Sequence, residues 1–167
     1  MRIGHGYDAH RFGKQRPFVI GGVHIPCEYG IDAHSDGDTL LHAVIDALFG
    51  AAGMPDIGAH YPDTADAFDN VDSIYLLRDA VNEVYQAGFA LEYLDCTIVA
   101  QVPKMAAWRP QMRANIADAC RVPVSRVNIK ATTEEKMGFT GEKLGLAAHA
   151  VCLLREECPG EPEHSSI

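Results

Sequence analysis

Asp8 and His10 stand two residues apart in the opening MRIGHGYDAH. A carboxylate oxygen and an imidazole nitrogen are both donors to divalent metal ions, and side chains two apart in an extended chain share one face. Alone, the pair suits a solvated strand rim or one hydrogen-bonded couple better than a metal site. His42 changes that weighting. It falls within TLLHAVIDALFGAAG, with Asp38 four residues before it and Asp46 four after. A helix there stacks carboxylate, imidazole and carboxylate on one face. These groups could simply cap, solvate and orient one another, with Asp46 accepting a hydrogen bond from a neighbouring histidine. Yet two histidines and an aspartate from a strand and a helix also form the three-ligand set that catalytic zinc sites use, leaving a fourth position open. The two readings stay evenly matched, because sequence does not show that strand and helix meet.

Two further stretches could serve phosphate chemistry. His34 and Ser35 precede the expected helix, where free N–H groups and the helix dipole attract anions; an exposed histidine beside a capping serine is the plainer alternative. Lys130 to Gly141, KATTEEKMGFTG, is an expected strand running into a loop rich in hydroxyls, carboxylates and glycine. Hydroxyls and backbone N–H groups suit phosphate oxygens and a carboxylate suits magnesium, although a polar hairpin would look the same. In VPKM, Val102 to Met105, Pro103 reads as a strand end.

The elements that must position these groups follow from periodicity. Met1 to His10 and Phe18 to Ile25 read as strands, the second folded at Gly21-Gly22 into a hairpin. Ser35 with Asp38 fits a capping-box start for the helix carrying Leu41, Val44, Ile45, Leu48 and Phe49, and Gly50 to Gly53 fits its stop. Met54 to Phe68 has no period and reads as a long loop, a candidate lid. A second helix starts at Asp72-Ser73 and ends at Gly88; Leu94 to Val102 is a strand, Met105 to Arg121 a helix, and Val124 to Thr132 and Gly145 to Leu154 are strands. The order predicts an α+β fold, a mixed sheet with helices packed on one face, in one domain over residues 1–155. Residues 156–167 are expected to be a disordered tail.

Composition narrows the class. A hydrophobic fraction of 47% with 22% charged residues is that of a globular protein, and no apolar run approaches the roughly 20 residues of a membrane span. The net charge of −9, with its 14 Lys and Arg dispersed, disfavours nucleic acid and requires local positive potential at any anion site. No signal-like segment opens the chain, and a cytoplasmic location is expected. Five scattered cysteines without CxxC spacing argue against disulfides and thiolate zinc; they are expected to be buried thiols, with Cys158 exposed.

MRIGHGYDAHRF, IGGVHIP, AHSDGD, LLHA, DIG, YPDT, AQVPKM and KATTEEK followed by GFTG resemble, in order and spacing over about residues 1–155, the 2-C-methyl-D-erythritol 2,4-cyclodiphosphate synthase family. The resemblance implies cyclisation of 4-diphosphocytidyl-2-C-methyl-D-erythritol 2-phosphate with release of CMP, in non-mevalonate isoprenoid synthesis. It implies Asp8, His10 and His42 as zinc ligands with Asp46 supporting them, and Glu135 as ligand of magnesium or manganese. His34 and Thr133 match catalytic positions. Ser35, Asp56, Ile57, Gly58, Asp63 and Phe139 match substrate contacts, and Ala100, Pro103, Lys104, Met105, Ala106, Ala131 and Thr132 match a cytidine pocket. A homotrimer with sites between subunits is implied as well. Many relatives carry arginine just after GFTG, where this chain has Glu142, which disfavours a prenyl diphosphate there. A metal-dependent phosphohydrolase and a non-enzymatic trimeric zinc protein remain the alternatives on the residues alone.

Overall fold

The computed structural model describes residues 1–33, 35–62 and 71–157. Strand β1 spans Arg2–Gly13, β4 Gly30–Asp32, β5 Phe89–Val99, β6 Val127–Thr132 and β7 Gly145–Glu156; together they form one sheet in the order β4-β1-β7-β5-β6. β5 and β6 run parallel, and β1 with β4, β1 with β7 and β5 with β7 run antiparallel, so the sheet is mixed as expected. The strands β2 (Val19–Ile20) and β3 (Val23–His24) make the small hairpin; Gly21 and Gly22, at φ 59° and 68°, supply its left-handed turn.

Helices α1 (Thr39–Ala52), α3 (Ser73–Gln86) and α4 (Arg109–Ala119) pack on one face of the sheet, and the single-turn α2 (Ile57–His60) and α5 (Gly138–Gly141) lie in connections. α1 is the central element: Leu40, Leu41, Val44, Ile45 and Phe49 are fully buried between the sheet and α3. Its close fit to β1 comes from two glycines. A Cβ on Gly6 would sit 1.9 Å from the Ala43 carbonyl oxygen, and one on Gly4 equally close to that of Ala47. Only bare backbone lets helix and strand approach so closely.

Several sequence expectations are corrected. α1 is not capped by a Ser35 capping box. The helix begins at Thr39, and its N-cap is Asp38, whose carboxylate accepts from Leu41 N at 3.0 Å. Asp38 is fully buried, and it also accepts from Gly21 N at 2.8 Å and Gly22 N at 2.7 Å, so three N–H donors hold it; Ser35 Oγ instead accepts from Gly37 N at 3.2 Å. The stretch read as a loop from Met54 contains α2, capped by Asp56, and the Gly30–Asp32 edge strand was too short to show a period. The last strand runs to Glu156, and Glu157 N donates to Gly88 O at 2.8 Å; the expected tail beyond it lies outside the described residues. Cys27 is exposed, while Cys96, Cys120 and Cys152 are buried. No helix among the described residues is long and apolar enough to cross a membrane.

Candidate metal centre

Alternation along β1 turns Gly4, Gly6, Asp8, His10 and Phe12 toward α1, and Ile3, His5 and Tyr7 to the opposite face. Because Gly4 and Gly6 draw α1 onto the strand, His42 in its first turns reaches Asp8 and His10. Asp8 Oδ2 lies 3.1 Å from His10 Nε2 and 3.1 Å from His42 Nδ1, and the two imidazole nitrogens are 3.3 Å apart. One ligand atom from each residue therefore falls within 4.8 Å of the others, the only such group of His, Cys, Asp or Glu among the described residues. The three side chains remain partly open to solvent, at 26%, 21% and 13% exposure for Asp8, His10 and His42. One oxygen and two nitrogens with an open side are the donor set of a divalent metal centre that keeps a position for a ligand.

The electrostatics fit that use. Burial alone would raise the Asp8 carboxyl, but hydrogen bonds from His10 and His42 and the charge on those rings hold it well below the usual carboxylate range. Burial pushes His42 down, and the Asp8 hydrogen bond and charge outweigh it, leaving His42 above its ordinary value.

The structure separates the carboxylates expected to flank His42. Asp38 faces the β2–β3 hairpin, and Asp46 accepts from Ile57 N at 2.8 Å, tying α2 to α1 rather than bonding a histidine. Burial raises the Asp46 carboxyl. Asp56 accepts from Ala59 N at 3.0 Å, so Asp56, Ile57 and Gly58 are fixed as one turn beside the centre's helix. Ser35 Oγ is 3.5 Å from His42 Nε2. His34 and Asp63 lie outside the described residues. Sequence reasoning missed Ser73 and Asp36. Ser73 Oγ is 2.9 Å from His42 Nε2, and Asp36 accepts from both Ser73 N–H and Ser73 Oγ–H. Ser73 was readable in sequence only as a helix start, and neither residue gave a signal of facing the centre.

A second cluster gathers at the far end of the sheet. Ala100 N donates to Thr132 O at 3.1 Å where β5 and β6 end, so Ala100 lies beside the Ala131–Thr132 end of β6, and Pro103, Lys104, Met105 and Ala106 follow it in the chain. Met105 is buried, whereas Lys104, Ala106, Ala131 and Thr132 are exposed. Thr133 Oγ1 donates to Glu135 Oε1 at 3.1 Å, and Glu135 and Lys136 adopt left-handed φ of 52° and 68°. Such strain persists only where surroundings impose it. Phe139 sits exposed on α5. Asp8 stands in one row with Ala148, Ile98 and Ala131. Three ladder spacings of about 4.8 Å therefore separate the metal centre from this cluster, roughly 14 Å within one chain.

An α+β domain with a half-open Asp-His-His centre and a distant hydroxyl- and amide-rich cluster has the makings of a metal-dependent enzyme acting on a phosphorylated substrate. The chain belongs to the YgbB family, which matches residues 1–155. It is 54% identical over 157 residues to the 2-C-methyl-D-erythritol 2,4-cyclodiphosphate synthase of Proteus mirabilis, covering 94% of this chain and 98% of that one. Among solved structures, it is 43% identical to the bifunctional IspDF of Campylobacter jejuni, with a TM-score of 0.89, covering 93% of this chain and 42% of that longer one. It is 32% identical to the IspF of Plasmodium falciparum solved with CDP, with a TM-score of 0.82, covering 94% and 97% of the two chains.

Proposed function

We propose that this chain is a cytoplasmic, homotrimeric enzyme that cyclises 4-diphosphocytidyl-2-C-methyl-D-erythritol 2-phosphate to 2-C-methyl-D-erythritol 2,4-cyclodiphosphate. The 2-phosphate oxygen attacks the β-phosphorus, the bond from that phosphorus to the α-phosphate oxygen breaks, and CMP leaves. The observation that carries the reading is the convergence of Asp8, His10 and His42 in a chain 54% identical to a synthase of that name. Zinc at these three residues, and magnesium or manganese at Glu135, would supply the positive charge that a protein of net charge −9 lacks elsewhere.

The chain's own residues have a modest task. Nucleophile and electrophile belong to one molecule, so holding the substrate folded gives effective molarities of roughly 10⁵ to 10⁸ M. A phosphate dianion needs no general base near neutral pH, and what remains is to orient it and stabilise charge on the transferring phosphorus. Ser35 and Thr133 offer hydroxyls for that, together with His34. Asp56, Ile57, Gly58 and Asp63 are assigned to the methylerythritol and ribose, with Phe139 alongside. The ends of β5 and β6 hold the cytosine through backbone groups. The roughly 14 Å between the two clusters supports a site completed by a neighbouring subunit, one chain providing the metal and the next the nucleotide pocket.

Incubation with the cytidyl substrate, followed by phosphorus NMR, tests the reading. A cyclic diphosphate and CMP are expected, and a linear product would establish a phosphohydrolase instead. His42→Ala is expected to lose zinc and at least 100-fold in turnover while staying folded. Full zinc occupancy in that variant would overturn the ligand assignment.

A further inference from the structure

His42 has two ring nitrogens, and only one can hold a metal. Nδ1 faces Asp8 Oδ2 at 3.1 Å and His10 Nε2 at 3.3 Å; Nε2 faces Ser73 Oγ at 2.9 Å. Which nitrogen keeps its lone pair depends on which way the Ser73 hydroxyl points, and Asp36 settles that. An ionised carboxylate only accepts hydrogen bonds. Asp36 receives Ser73 N–H at 2.9 Å on Oδ2, and Asp38 N–H at 3.1 Å together with the Ser73 hydroxyl on Oδ1. The hydroxyl proton is thus committed to Asp36, leaving the Ser73 oxygen a lone pair for His42. His42 therefore donates from Nε2 to Ser73, which leaves Nδ1, the nitrogen turned toward Asp8 Oδ2 and His10 Nε2, as the one that can give its lone pair to a metal. Ser35 Oγ, at 3.5 Å from Nε2 and already accepting from Gly37 N, is the weaker partner.

We propose that Ser73, oriented by Asp36, is a positioning residue that fixes His42 in the Nε2–H tautomer and makes Nδ1 the metal-binding nitrogen. Ser73 is fully buried at the first residue of α3, so the arrangement is preset before any metal arrives. Histidine ligands held through their second nitrogen in this way gain both ring orientation and basicity, and loss of the partner costs about 10- to 100-fold in metal affinity. The inference rests on the reading of Asp8, His10 and His42 as a metal centre.

Two measurements decide it. The nitrogen-15 shifts of His42 in the zinc-loaded wild type are expected to show a protonated Nε2 and a metal-bound Nδ1; a ring bound to zinc through Nε2 overturns the inference without any variant. Zinc affinity is then measured by competition with a chromophoric chelator for wild type, Ser73→Ala, Ser73→Thr and His42→Ala. Ser73→Ala is expected to bind one zinc about 10- to 100-fold more weakly, and Ser73→Thr, which retains the hydroxyl, to recover most of that loss. Unchanged affinity in Ser73→Ala, with binding lost in His42→Ala, overturns the role of Ser73 and leaves the metal centre standing. Unchanged affinity in both overturns the metal centre and the inference with it.

Discussion

Single residues here owe their chemistry to burial. Cys96, Cys120 and Cys152 have their thiols pushed up by burial, Cys120 to about 12 and Cys152 to about 11 from an ordinary 9.0. The thiolate is the reactive form, so these three are protected by charge cost as well as by cover. Alkylation with iodoacetamide at mildly alkaline pH, followed by peptide mapping, is expected to mark exposed Cys27 in the folded protein, and Cys96, Cys120 and Cys152 only after unfolding. Labelling of Cys120 without unfolding would contradict the packing of α4. Linkage has a definite sign: folded values above unfolded ones mean that the neutral thiols favour the fold fully below about 9. That contribution is lost as the pH rises through about 11 to 12, so thermal stability should fall across this window, less steeply in a Cys120→Ala variant. Asp8 and His10 were legible as sharing a face because alternation is local. The Ser73 contact was not, since a partner 31 residues from His42 leaves no period to read.

At the scale of elements, the contact of α1 with β1 decides whether there is a centre at all. Gly6→Ala places a methyl 1.9 Å from the Ala43 carbonyl oxygen, where backbone rather than a flexible side chain must move. The cost is expected to reach or exceed about 1–3 kcal/mol, with zinc binding weakened because His42 rides on the displaced helix. Gly50→Ala, on the same helix but with nothing within 4 Å of the new methyl, is expected to gain about 0.5–1 kcal/mol. Paired thermal melts check both signs, and equal effects would refute the close-approach argument. Helix α1 was readable from its apolar spacing, but its cap was not. Ser35 matched a local pattern, whereas Asp38 won through two N–H groups donated by a hairpin 16 and 17 residues away. The same non-locality hid β4, whose three residues carry no alternation of their own.

For the whole molecule, the sheet face away from the helices is the unfinished part. Ile3 and Tyr7 of β1, Val151 of β7 and Tyr93 of β5 stand exposed on it. Apolar side chains gathered on one open sheet face are the surface that subunit association would cover, in keeping with the proposed trimer. Val151→Asp is expected to convert a species of three times the chain mass, seen by sedimentation velocity, into single chains that still bind zinc at Asp8, His10 and His42 but turn over at least 100-fold more slowly. A wild type sedimenting as single chains would remove the trimer from the proposal. The mixed sheet with helices on one face followed from the element order, because sequence order constrains layers. The strand order did not, because nothing in β7 announces that it inserts between β1 and β5.

That insertion bears on how the protein is made. During synthesis the ligands at positions 8, 10 and 42 leave the ribosome early, yet β1 gains its long partner only when residues 145–156 emerge. Until then β1 and β5 each expose an unpaired edge in what will become the middle of the sheet. Closure of the sheet is thereby held until β7 has been made, with the nascent chain most open to mispairing just before that strand arrives.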